Sequence, residues 1–78
     1  MNLYVITLNE DLIDYDCMIG YVIQANSEYN CRLIAAACSD DEGSEVWINP
    51  KYHELKLIGT TLKEETEEKI ILDSYNAG

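Results

Sequence analysis

Cys17, Cys31, Cys38 and His53 are the side chains in this sequence best suited to soft-metal or nucleophilic chemistry. Structural zinc sites draw ligands from close pairs, two Cys separated by about two to four residues, and the gaps here are far longer. A Cys–His nucleophile needs a thiolate, and Asp16 beside Cys17 disfavours negative sulfur. Asp14-x-Asp16 matches the opening of a calcium loop, but Met18 and Ile19 stand where that loop demands another Asp or Asn and then Gly. Capping and turn formation account better for these aspartates. The chain has no glycine-rich phosphate loop, no Gly-x-Ser-x-Gly and no His-Glu-x-x-His. The expectation is no metal, no cofactor and no catalysis.

Carboxylates dominate instead. Fifteen Asp and Glu stand against five Lys and Arg, for a net charge of −10. Asp40, Asp41, Glu42 and Glu45 lead into the only tryptophan, Trp47; Glu64, Glu65, Glu67 and Glu68 form a second cluster, and Asp14 and Asp16 a third. An aromatic anchor ringed by loop carboxylates is suited to a basic protein surface. The expected contact is therefore Asp40, Asp41, Glu42, Glu45 and Trp47, extended by Glu64, Glu65, Glu67 and Glu68, with the three clusters available to form one acidic surface. DNA carries a charge about every 1.7 Å of duplex axis, so a dense carboxylate array can occupy a phosphate-binding channel. Nucleic acid and anionic membranes themselves are disfavoured as ligands, because binding them depends on basic residues. The plainer reading is a solvated loop beside a Trp that pins a sheet edge, with charge serving solubility.

These residues must be positioned by few elements. In Ser27–Cys38, Cys31, Ile34, Ala35 and Cys38 recur at helical spacing, with Ser27 as N-cap and Glu28 in the first turn. Asn30 stands where a capping box prefers Glu or Gln. Asn2–Leu8 alternates, with Leu3, Val5 and Thr7 on one side and Tyr4, Ile6 and Leu8 on the other, as in a central strand. Met18–Gln24 reads as a second strand with Ile19, Tyr21 and Ile23 on one face and Gly20 marking a bulge or close approach. Val46–Ile48 reads as a short extended segment closed by Pro50. Glu54–Thr60, with Leu55 and Leu57 inward, and Lys69–Asp73 complete the strands, and Leu62–Glu68 is a charged turn. The fold class is α+β: an antiparallel sheet of about four strands, β-β-α-β-β with a possible extra short strand, and one helix on one face. The helix should pack through its apolar face against Ile19, Tyr21, Leu55, Leu57 or Ile70.

Residues 1–78 make a single small acidic domain. A chain this short buries only about 60% of its unfolded surface, so a deep substrate cleft is not expected. Its 47% apolar content excludes wholesale disorder, and six Tyr with no Phe favour side chains with an apolar body and a polar tip. Cys31 and Cys38 would lie roughly 10 Å apart on one helix, beyond disulfide reach. Three reduced thiols suit a cytosolic protein. The opening residues lack a basic signal-peptide region, and no apolar run approaches the ~20 residues of a membrane span.

Further motifs run the length of the chain: Leu3-Tyr4-Val5-Ile6-Thr7, Tyr15-Asp16, Val22-Ile23-x-Ala25-x-Ser27, Arg32-x-Ile34-Ala35-Ala36, Asp41-Glu42-Gly43 before Trp47, and Ser74-Tyr75-Asn76-Ala77-Gly78. Together they resemble a family of small phage and prophage proteins whose members commonly end in Ser-Phe-Asn-Ala-Gly. Tyr75 replaces the Phe, and Asn30 stands where that family tends to be acidic. The resemblance implies a phage accessory protein acting in the host cytoplasm. By analogy of size and charge with anti-CRISPR proteins, it implies an inhibitor that blocks a basic nucleic-acid-binding surface of a CRISPR–Cas complex. The alternative is a phage accessory module that binds another protein through apolar sheet contacts.

Overall fold

The computed structural model describes residues 1–62 and 66–77. They form strand β1 (Asn2–Leu8), strand β2 (Cys17–Ala25), helix α1 (Glu28–Ala37), a single helical turn α2 (Glu45–Ile48), strand β3 (His53–Thr60) and strand β4 (Lys69–Asn76). Short 3₁₀ turns occupy Glu10–Leu12 and Pro50–Tyr52. The sheet order is β3-β1-β2-β4, and each neighbouring pair is antiparallel. The expected α+β class holds: a four-stranded antiparallel sheet with one main helix.

Local chemistry sets the helix start. Ser27 is extended, and its Oγ accepts a bond from the Asn30 amide at 3.1 Å. The Asn30 side chain does not complete a capping box. It donates to the Glu68 carboxylate at 2.9 Å, which also accepts from the Asn26 amide at 2.9 Å. Glu68 thereby joins the β2–α1 corner to the segment before β4, and these bonds hold its carboxyl below the usual range.

Cys31 and Ala35 are fully buried beneath α1, while Ile34 is half-buried. They close over Tyr4, Ile6 and Leu8 of β1 and Tyr21, Ile23 and Ala25 of β2. Cys38 departs from expectation: the helix ends at Ala37, and Cys38 caps it with an exposed side chain. The periodic pattern runs one residue past the helix: the Cys38 amide closes the last turn on the Ala35 carbonyl at 3.1 Å, and its own carbonyl, free at a helix end, accepts from the Tyr21 hydroxyl at 3.0 Å. Leu57 also departs, at 59% exposed; it lies on the edge strand, where Leu55 and the buried His53 are the residues that pack against the core.

Two expected boundaries change. Val46–Ile48 is helical rather than extended, because one turn of α2 drives Trp47 into the core. The last strand continues past Asp73 to Asn76, where the polar Ser74, Tyr75 and Asn76 pair with Gly20, Met18 and Cys17. A register shift between Met18 and Gly20 breaks the expected alternation of β2, and Ile19 lines a groove with Val5 and Val22. Gly20 itself is a close-approach position: a Cβ there would sit 2.8 Å from the Ile6 carbonyl oxygen, inside contact distance.

Candidate functional site

Each element reverses the chain's direction, so successive connections alternate between the two ends of the sheet. The β1–β2 loop and the α1–β3 segment therefore share one end, while the β2–α1 corner and the approach to β4 share the other.

The first end is acidic. Asp16 occupies a left-handed turn with φ 59°. Its backbone carbonyl accepts from the Asp41 amide at 3.1 Å, joining the two acidic loops directly. The end of β4 clamps the same turn. The Asp16 amide donates to the Asn76 carbonyl at 2.7 Å, the Asn76 side-chain amide donates to the Asp14 carbonyl at 3.0 Å, and the Tyr75 hydroxyl donates to Asp16 Oδ1 at 3.1 Å. Burial of its hydroxyl, then the Asp16 bond and nearby Asp16, Asp40 and Asp41, push Tyr75 up to about 12. Asp14, Asp16, Asp40, Asp41 and Glu45 are exposed here, together with Glu10 and Asp11 of the same loop. Tyr15-Asp16, Asp41-Glu42-Gly43, Trp47 and Tyr75-Asn76, separate in sequence, thus converge.

Glu42 and Trp47 are not part of the exposed surface in the expected way. Trp47 is 0% exposed. It meets Tyr21 edge-on at 5.1 Å and stacks on His53 at 6.3 Å. Its indole N–H donates to Glu42 Oε2 at 2.6 Å, while Glu42 Oε1 accepts from the amides of Met18 at 3.0 Å and Asp40 at 3.1 Å. Trp47 as a partner's anchor is thus corrected to a core residue, and Glu42 to the pin that seats it. Gly43, at φ 83°, supplies the left-handed turn that lets this carboxylate fold back on the loop.

The second expected extension lies elsewhere. The Glu67 carbonyl accepts from the Gln24 side chain and Glu68 binds the Asn26 amide, whereas Glu42 binds the Met18 amide. Met18 and Asn26 are eight positions apart on or just beyond β2, which at about 3.3 Å per residue is roughly 26 Å. Glu67 and Glu68 therefore mark the opposite end and do not extend the Asp40–Glu45 surface. Glu64 and Glu65 lie outside the described residues. Asp14 and Asp16 belong with Asp40 and Asp41, and counting chain direction through the helix would have grouped them.

Of the groups suited to nucleophilic or metal chemistry, Cys17, Cys31 and His53 are buried in other roles, and Cys38 is exposed at the end of α1. Burial and nearby carboxylates push the Cys17 thiol up, and burial pushes Cys31 up to about 11. Among the described residues, no three of His, Cys, Asp and Glu gather as metal ligands. His53 is 5% exposed; its Nδ1 lies 2.8 Å from the Val46 carbonyl, and its Nε2 accepts from Arg32 Nε at 3.0 Å. That pairing requires the neutral ring with its proton on Nδ1. Burial, then Arg32, lower its pKa against the opposing Val46 bond.

Protonating His53 would set two donors against each other at Arg32. The unfolded chain takes this proton near pH 6.5 and the folded chain only at lower pH. The contribution is thus complete above about pH 6.5 and is lost as pH falls toward the lowered folded value. Urea midpoints should therefore decline between pH 7.5 and 5.5. His53→Gln should flatten that slope, since the chain has no other histidine. An equal slope in the variant would show that His53 does not carry it.

Comparison with family models, curated proteins and solved structures finds no match to this chain.

Proposed function

We propose that this chain is a non-catalytic binding protein whose acidic end occupies the basic, nucleic-acid-binding surface of a host protein. The resemblance to small phage proteins extends the proposal to a phage-encoded inhibitor of host defence, with a CRISPR–Cas effector complex as its target. The observation that carries the reading is the junction of the two acidic loops, Asp41 N–H on the Asp16 carbonyl at 3.1 Å, which gathers exposed carboxylates at one end of the sheet. Inhibition is steric and electrostatic: the carboxylates stand where phosphates would, and no bond is made or broken. Electrostatic complementarity of this kind acts mainly on association rate and weakens with salt.

The contact set is Asp40, Asp41 and Glu45 with Asp14 and Asp16, leaving Glu42 to the fold. Reversing Asp40, Asp41 and Glu45 to Lys should slow association with a purified CRISPR–Cas effector at least about tenfold at low salt. It should flatten the salt dependence and leave the melting temperature nearly unchanged. Protein and target DNA should exclude each other on the effector. Simultaneous binding, or normal association of the triple variant across a salt series, would reject the acidic end as the contact. The open face of the sheet supports the second reading, binding through apolar contacts: it presents Val5, Val22 and Leu72 along a groove of about 190 Å³. Salt-insensitive binding would select it.

A further inference from the structure

The face of the sheet opposite α1 is ordered into two cross-strand rows. One row reads Lys56, Val5, Val22, Leu72 from β3 to β4, and the next reads Glu54, Thr7, Gly20, Ser74. Between them the backbone row Leu55, Ile6, Tyr21, Asp73 turns its side chains toward the helix side. The first row is thus large and ends in a cation; the second is small and ends in a carboxylate.

A two-fold axis running across the strands above the Leu55–Asp73 row exchanges these rows. It lays Lys56 of one copy over Glu54 of the other, Val5 over Thr7, Val22 over Gly20 and Leu72 over Ser74. Each contact then occurs twice, as an isologous interface requires. Large side chains meet small ones and charge meets opposite charge. The groove between the two rows, lined also by Ile19, Tyr21 and Asp73, is the recess that the partner's row would enter.

Two more observations favour a second copy as the occupant. Of the two carboxylates in the strands, Asp73 pairs with Tyr21 and Glu54 alone shares this face, so a chain of net charge −10 keeps the face nearly free of anionic side chains. The same axis also sets the acidic end of one copy over the opposite end of the other, holding the two acidic ends apart. Four strands about 4.8 Å apart and about 25 Å long give a footprint of roughly 480 Å² per copy, or about 960 Å² for both. Side-chain relief adds to this, and specific interfaces begin near 1,000 Å².

We infer that the chain forms a two-fold dimer through the open face of its sheet, two sheets stacked inside two helices. This inference is independent of the acidic-end reading. Sedimentation equilibrium across the micromolar range tests it, with far-UV circular dichroism to verify the fold of each variant. The expected result is a reversible species of about 18 kDa, twice the 8.9 kDa chain. Leu72, 65% exposed, is dispensable to the core, so Leu72→Asp should keep the fold and weaken the dimer about tenfold or more.

Lys56→Glu should weaken the dimer by setting carboxylates against carboxylates. Adding Glu54→Lys to it should restore association, because the exchanged pair remains complementary under the two-fold. A monomer throughout, a dimer unaffected by Leu72→Asp, or a failure of the double exchange to restore association would each overturn the inference.

Discussion

Trp47→Ala should lower the melting temperature by roughly 12 °C or more, taking about 3 kcal/mol at about 4 °C per kcal/mol as the least effect. The side chain is completely enclosed, between Tyr21 edge-on and His53 in a stack. Truncating a buried aromatic costs about 3–5 kcal/mol through lost transfer energy and the cavity left behind. A small domain holds only about 5–15 kcal/mol in total. Trp47 belongs to a single helical turn, too short to persist without tertiary burial, so the loss should spread to the packing of α2 on α1 and β3. Thermal melts by far-UV circular dichroism read the effect. Trp47→Phe should recover part of the loss, keeping a buried ring while surrendering the N–H. An unchanged midpoint in Trp47→Ala would contradict its place at the centre of the core.

Glu42→Ala should cost about 2–6 kcal/mol, at about 1–3 kcal/mol for each of two inward donors left unpaired. Those donors are the Trp47 indole and the Met18 amide; the Asp40 amide is exposed to water and adds little. Asp41→Ala, one residue away on the exposed side of the same loop, should lie within about 0.5 kcal/mol of the parent. Urea midpoints for the two variants give the comparison. Because Glu42 and Trp47 touch, Glu42→Ala combined with Trp47→Phe should be less than additive, with a coupling above about 0.5 kcal/mol. If Glu42→Ala proves as mild as Asp41→Ala, the carboxylate is a surface charge after all.

The Glu42 carboxylate shows why the sheet and helix were legible in the residues while the site was only half so. Strand alternation in β1 and the Ser27 cap followed by a helical period are local signals, and both are realised. α2 is not local: Val, Trp and Ile before Asn-Pro look extended, and a helical turn forms there because it buries the indole. The end of β4 was obscured because Ser74, Tyr75 and Asn76 lack apolar alternation; their side chains and backbone secure the Asp14–Asp16 turn instead. Among carboxylates, composition cannot separate one that solvates a loop from one that accepts three donors. Glu42 is distinguished only by the Gly43 turn that follows it and the Trp within reach, and neither is decisive without the fold. The pairing of acidic loops was available from chain direction alone, since an odd number of reversals returns the chain to the same end.

The strand order β3-β1-β2-β4 also dictates how the chain assembles in time. The central hairpin closes through one short loop, and closures of that size occur on a scale of roughly 10–100 ns, well before the edge strands can add. Both edges come from the second half of the sequence, and the pairing of Cys17 with Asn76 spans most of it. Such distant partners must be brought together at an entropic cost that no contact offsets until the strands meet. The expected rate-limiting step is accordingly the return of β3 and β4 to the central strands. Until β4 arrives, the turn at Asp14–Asp16 lacks its clamp, and the acidic end is the last part of the molecule to acquire its shape.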